Sequence, residues 1–155
     1  MSARKLDRID KQILQELVKD GRKSTVEIAD KVGLSSTPCG RRIRQLEEDG
    51  FITSYSANLN PKALGLNICV LISVKLNRHA PDGHEQFIRE IESHPEVSEY
   101  ILVAGNYDYL LRVWVEDTAA LTSFVANVLQ GIPSVSETST MLVLKQSGGL
   151  MNLPW

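Results

Sequence analysis

The sequence predicts an α+β chain in two parts: an N-terminal winged helix-turn-helix head and a C-terminal ferredoxin-like βαββαβ domain. Three observations carry this reading. Residues 1–50 hold apolar positions at helical spacing in three short segments, the last of them basic. Beyond residue 66 the apolar period shortens to two in four places, with helical spacing returning twice between them. Between the two regions, Asn58-Leu59-Asn60-Pro61 and Gly65 supply turn chemistry. The expected boundaries are 1–58 for the head, 59–66 for a linker and 67–155 for the second domain.

In the head, Leu6, Ile9, Ile13 and Leu17 mark a first helix that stops near Asp20-Gly21. Ser24-Thr25-Val26-Glu27 has capping-box spacing and opens a second, short helix with Ile28, Ala29 and Val32 inward. Gly33-Leu34-Ser35 is a tight turn, and Ser35 or Ser36 caps a third helix with Pro38 in its first turn. At ~100° per residue, Cys39, Ile43 and Leu46 fall in a sector of about 60°, the width of a buried stripe. Thr37, Arg41, Arg44 and Gln45 project from the opposite side, with Arg42 on the flank. A basic stretch alone reads as a solvated helix face. A short helix, a Gly-containing turn and a longer basic helix together form the order of a helix-turn-helix, whose second helix enters the major groove. Arg pairs bidentately with guanine edges and with phosphate. The candidate DNA contacts are therefore Ser36, Thr37, Arg41, Arg42, Arg44 and Gln45, on double-stranded DNA. Phe51-Ile52 and the following Ser54–Ala57 suggest an extended segment, a small wing.

In the second domain, Val70, Ile72, Val74 and Leu76 alternate as a first strand. Asp82 with Glu85 has capping-box spacing for a helix that buries Phe87, Ile88 and Ile91 and stops at His94-Pro95. Strands are expected over Val97–Ala104 and Tyr109–Val115, joined by Gly105-Asn106-Tyr107-Asp108. Asp117 caps another helix with Leu121, Phe124, Val125 and Val128 on one side, and Thr138–Lys145 forms the last strand. Both helices then cover one sheet face. The remaining apolar positions, Cys69, Leu71, Tyr100, Leu102, Leu110 and Trp114, call for burial against a second subunit.

Composition narrows the classes. The net charge of −2 divides unevenly: residues 1–50 carry 11 Lys and Arg against 9 Asp and Glu, whereas residues 51–155 carry 6 against 10. A basic head on an acidic body fits a nucleic-acid partner for the head alone. No apolar run is long enough to span a membrane, and the opening Met-Ser-Ala-Arg-Lys is no secretory signal. Cys39 and Cys69 have no CxxC partner and read as small buried apolar residues. His79, His84 and His94 lack a metal spacing, so neither a metal nor another cofactor is expected.

Taken together, the motifs resemble those of the Lrp/AsnC (feast/famine) family of transcriptional regulators. The resemblance runs through Leu6-Asp7-Arg8-Ile9-Asp10, Asp20-Gly21-Arg22, Val32-Gly33-Leu34-Ser35, Thr37-Pro38-Cys39, Arg41-Arg42-Ile43 and Leu46-Glu47. It continues in Leu59-Asn60-Pro61, Leu64-Gly65, Pro95-Glu96-Val97, Gly105–Tyr109 and Leu153-Pro154. It implies control of amino-acid metabolism, dimers assembled further and commonly into octamers, a small amino-acid effector, and a prokaryotic, cytoplasmic, nucleoid-associated setting. The effector is expected near the Gly105–Asp108 turn, between dimers. Backbone N–H groups of Gly105, Asn106 and Tyr107 would meet its carboxylate and Asp108 its ammonium. Leu102, Val103 and Tyr107 would surround its side chain, with Thr138, Ser139 and Thr140 nearby. Asn106 stands where the family usually has Asp, and Ala104 where it often has a hydroxyl. No Lys or Arg lies in the turn or in Tyr109-Leu110-Leu111, so an apolar effector is expected rather than an acidic one.

The sequence leaves two other readings. Some chains of this type resemble tetrapyrrole-processing decarboxylases, but the C-terminal half offers few arginines for such a pocket: Arg78, Arg89 and Arg112. No enzyme activity is expected. The other reading is a DNA-wrapping protein without a ligand response.

Overall fold

The computed structural model describes residues 4–77 and 82–146. Arg78, His79 and Leu153-Pro154 fall outside the described residues. Two compact units divide between Asn58 and Leu59.

The first unit is built on three helices, α1 (Arg8–Lys19), α2 (Thr25–Val32) and α3 (Ser36–Glu48). Asp7 caps α1 reciprocally with Asp10: the Asp10 amide donates to Asp7 Oδ1 at 2.8 Å, and the Asp7 amide to Asp10 Oδ2 at 3.3 Å. Ser24 and Glu27 close the expected capping box on α2. Gly33 ends α2 at φ 72°, a left-handed conformation that glycine adopts without a Cβ penalty. Ser35 takes the N-cap position of α3 but makes no side-chain cap bond. The apolar stripes converge as expected: Ile13, Ile28, Ala29, Cys39 and Leu46 are buried, with Ile43, Phe51 and Ile52 packed at the margin. The Phe51 and Ile52 amides both donate to Leu46 O, folding the chain back across the end of α3. The segment beyond carries neither helix nor strand until Pro61, so the extended stretch expected at 54–57 forms no strand among the described residues. Tyr55 instead donates its phenol proton to Glu47 Oε1 at 2.8 Å.

The second unit begins with a single 3-10 turn, Pro61–Leu64, capped by Asn60. Then follow β1 (Ile68–Leu76), α4 (Gly83–Glu92), β2 (Val97–Leu102), β3 (Tyr109–Val115), α5 (Thr118–Ser123) and β4 (Val135–Leu142). The sheet order is β2-β3-β1-β4, with every neighbouring pair antiparallel. This is the expected βαββαβ arrangement. Val70, Ile72, Val74, Tyr109, Leu111 and Val113 face Phe87, Ile91, Phe124 and Leu129 in one buried core.

Several local expectations shift. Asp82 does precede α4, but at φ 54° its side chain makes no cap bond, so the capping box with Glu85 does not form. The strand expected over Val97–Ala104 ends at Leu102, because the chain turns at once into the 103–108 loop. The helix after Asp117 loosens from Phe124 into a wider turn and then a tighter one, which carry Phe124 and Leu129 into the core. The last strand starts at Val135, not Thr138, and ends at Leu142; Leu76 pairs with Val135 across a bulge in the register.

Strand alternation also corrects the expected subunit-facing set. Cys69, Leu71, Leu110 and Trp114 share the face away from the helices. Tyr100 and Leu102, by contrast, pair with Leu111 and Tyr109 and point to the helix side, at the exposed β2 edge. Ile101, paired with Leu110, is the apolar β2 residue on the outer face, which it shares with Glu99, paired with Arg112. A bulge near Val97 resets the β2 register, and it cannot be read from the apolar pattern. Among the described residues, no helix is long and apolar enough to cross a membrane.

Candidate DNA-binding and effector surfaces

The exposed face of α3 follows from its 3.6-residue period. With Cys39 and Leu46 fixed inward, Ser36, Thr37, Arg41, Arg44 and Gln45 all stand in solvent. Gln45 donates to Asp49 Oδ1 at 2.9 Å, one turn further along. Neither Arg41 nor Arg44 joins an ion pair among the described residues, so two guanidinium groups three residues apart remain available on one helix face.

Arg42 is placed differently from its neighbours. Its Nη1 donates to Asp7 Oδ2 at 2.7 Å and to Asp10 Oδ1 at 2.8 Å, joining α3 to the start of α1. Asp10 is buried, its side chain only 1% exposed, and takes a second guanidinium from Arg4 at 2.7 Å. Arg4 also reaches Asp49 at 3.3 Å. The bond from the Asp10 amide and the nearby Arg42 hold the Asp7 carboxyl below its ordinary range, and the two carboxylates raise Arg42. The expectation that Arg42 joins the solvent-facing set therefore meets a group already engaged within the head. Arg4, Asp7, Arg41, Arg42 and Gln45 line a hollow of about 300 Å³ beside α3.

In the second unit, the Gly105–Asp108 turn closes β2 on β3. The Val103 amide donates to Asp108 O, and the Asp108 amide to Val74 O, both at 2.9 Å. Asp108 Oδ2 accepts the Leu76 amide at 2.7 Å, tying the turn to β1 as well. Beside it lies an open pocket of about 330 Å³, lined by Ser73, Val103, Ala104, Gly105, Asn106, Tyr107, Tyr109 and Leu110. None of these side chains is charged. Arg112, the nearest arginine along β3, is held by Glu99 at 3.0 Å and Gln146 at 3.3 Å.

Of the expected effector residues, the structure brings Val103, Gly105, Asn106 and Tyr107 to this pocket, whereas Asp108, bonded to the Leu76 amide, is not among its lining residues. Leu102 falls outside it, because period-two alternation turns that side chain to the helix side. The same alternation divides Thr138, Ser139 and Thr140. Ser139 is paired with Ser73 on the outer face, while Thr138 and Thr140 pair with the core residues Val74 and Ile72. Ser73 and Leu110 line the pocket and were not foreseen. The available signal was Ser73 itself, a hydroxyl on the outer face of β1 between Leu71 and Lys75. Cys39 and Cys69 are both free and buried, and burial raises each thiol above its ordinary pKa. Among the described residues, no cluster of His, Cys, Asp and Glu could hold a metal ion.

Comparison with known proteins gives the same two-part division. Residues 6–53 match the family described as winged helix-turn-helix DNA-binding. Residues 69–148 match the Lrp/AsnC ligand binding domain. The chain is 45% identical over 141 residues to the leucine-responsive regulatory proteins of Escherichia coli K12 and Salmonella typhimurium, covering 91% of this chain and 86% of theirs. A Neisseria meningitidis transcriptional regulator, solved as an L-methionine complex, superposes with a TM-score of 0.91 at 35% identity, covering 97% of both chains. The feast or famine regulatory protein of M. tuberculosis, also solved with L-methionine, superposes at 0.84 with 29% identity, covering 96% of this chain and 99% of that one.

Proposed function

The chain belongs to the Lrp/AsnC family of DNA-binding transcriptional regulators, and from this we propose which of its residues meet DNA and effector, and how it assembles. The α3 face is the DNA-reading surface. Arg41 and Arg44 enter the major groove, and Ser36, Thr37 and Gln45 reach phosphate or base edges around them. The observation that carries this is the pair of exposed guanidinium groups on the second helix of the helix-turn-helix, which join no ion pair among the described residues. Footprinting on a duplex selected from random sequence tests it. Protected half-sites should lie about one helical turn apart, or a multiple of it.

The pocket at Ser73, Val103–Tyr107 and Leu110 takes an amino acid with an apolar side chain. Two structural relatives were solved with L-methionine, and curated relatives are named leucine-responsive. Turn amides receive the carboxylate, and the Asp108 oxygen not bonded to Leu76 receives the ammonium. A site without a lining cation disfavours aspartate and glutamate, because a buried unpaired carboxylate is costly. An effector at 100 times its dissociation constant adds about 2.7 kcal/mol of stability, so a thermal-shift screen of the twenty amino acids identifies it. No shift with any of them would favour a DNA-wrapping protein without a ligand response.

The outer sheet face carries Leu71, Leu110, Trp114 and Met141, and we assign it to a dimer contact, with dimers assembling further, commonly into octamers. A cytoplasmic, nucleoid-associated protein without catalytic activity fits this reading. Sedimentation of the full chain at micromolar concentration should give a dimer or larger species. A monomer would remove both the interface and an effector site shared between dimers.

A further inference from the structure

Arg42 stands inside the basic run of α3, yet its guanidinium lies 2.7 Å from Asp7 and 2.8 Å from Asp10 on the neighbouring helix. We infer that Arg42 is a positioning residue: held between these carboxylates, it fixes the placement of α3 on α1 and leaves the DNA contacts to Arg41 and Arg44. This rests on α3 being the DNA-reading helix.

The geometry favours an internal role for three reasons. Asp10 is a buried carboxylate, and a charge taken out of water is tolerated only when paired and hydrogen-bonded. Swinging Arg42 out to a phosphate would strip Asp10 of one of its two guanidinium partners. The network also reaches the far end of α3: Arg4 bridges Asp10 and Asp49, the residue that caps the helix C-terminus. α3 is thus tied to the first turn of α1 at its middle and, through Arg4, at its end. Base readout depends on such placement, because bidentate contacts tolerate little displacement of the guanidinium plane.

A positioning role for Arg42 and a DNA contact by Arg42 give neutralisation of Asp7 opposite effects on binding. Three carboxylates, Asp7, Asp10 and Asp49, share two guanidinium groups beside a face that meets phosphate. If Arg42 were a DNA contact restrained by its neighbours, neutralising Asp7 would free it and strengthen binding. If Arg42 positions the helix, neutralising Asp7 weakens binding. Asp7→Asn is the informative variant: its carboxylate is about half exposed, and asparagine caps a helix as well as aspartate does, so the head still folds.

The probe is a duplex selected from random sequence by the wild-type protein, titrated at several salt concentrations against a random duplex. Asp7→Asn should bind the selected duplex about threefold to tenfold more weakly, with binding to the random duplex unchanged. Arg42→Gln should weaken specific binding while keeping the wild-type salt slope, since losing a phosphate contact lowers that slope by about one. Equal or tighter specific binding by Asp7→Asn would overturn the inference, and so would a slope reduced by about one in Arg42→Gln. Failure of the wild-type protein to select any duplex would instead remove the DNA reading itself, before any variant is compared.

Discussion

The Arg41→Ala, Arg44→Ala double variant should bind its selected operator about 30-fold more weakly than the wild type, or worse. A bidentate arginine–guanine contact is worth about 1–3 kcal/mol of discrimination, so two losses at the low end already reach that factor. Both side chains are exposed and neither joins an ion pair among the described residues, so the variant should fold as the wild type does. Random-sequence DNA should lose less, because phosphate attraction from the remaining basic residues is independent of sequence. Titration on operator and random duplexes, with footprinting, reads the difference directly. Normal operator affinity in the double variant would mean that α3 is not the reading helix.

Asp108→Asn should lower the affinity for the amino-acid effector about tenfold or more while leaving the second unit as stable as before. Asp108 has two tasks in this account, and the substitution separates them. Its Oδ2 accepts the Leu76 amide at 2.7 Å, a bond that an asparagine oxygen preserves. The negative charge proposed for the ammonium does not survive. Asp108→Ala loses both, and leaving the Leu76 amide unpaired should cost about 1–3 kcal/mol of stability as well. Calorimetry with L-leucine and L-methionine, beside thermal unfolding, distinguishes the variants. Unchanged affinity in Asp108→Asn would confine Asp108 to holding the turn, and tight glutamate binding would overturn the selectivity argument.

The elements were legible where one local signal decided them. The Ser24–Glu27 spacing, the glycine at position 33, and the stripe at Cys39, Ile43 and Leu46 each act within a helical turn or two, and each has its expected structural counterpart. Strand alternation likewise gave the buried side of β1 and β3. What failed depended on partners distant in sequence. Asp82 has the spacing of a cap, but its left-handed backbone aims the side chain elsewhere. The bulge near Val97 decides which β2 residues face outward, and it exists only in the pairing with β3. Thr138, Ser139 and Thr140 are adjacent in the chain, yet sheet geometry sends only Ser139 toward Ser73. Arg42 looked like its neighbours because no pattern within residues 36–48 reveals that Asp7 and Asp10 lie within 3 Å of it. The turn and the helix that carry the candidate sites are therefore legible in the sequence, while the side chains that share each surface depend on register and on ion pairs across helices.

We propose that one chain couples operator binding to an apolar amino acid. The direct measurement is an operator titration with the full chain at increasing L-leucine and, separately, L-methionine. The binding midpoint should shift with at least one of them. By linkage, operator DNA should change the affinity for that amino acid by the same factor. A midpoint unmoved by every apolar amino acid, at concentrations that saturate the protein in thermal-shift measurements, would contradict it.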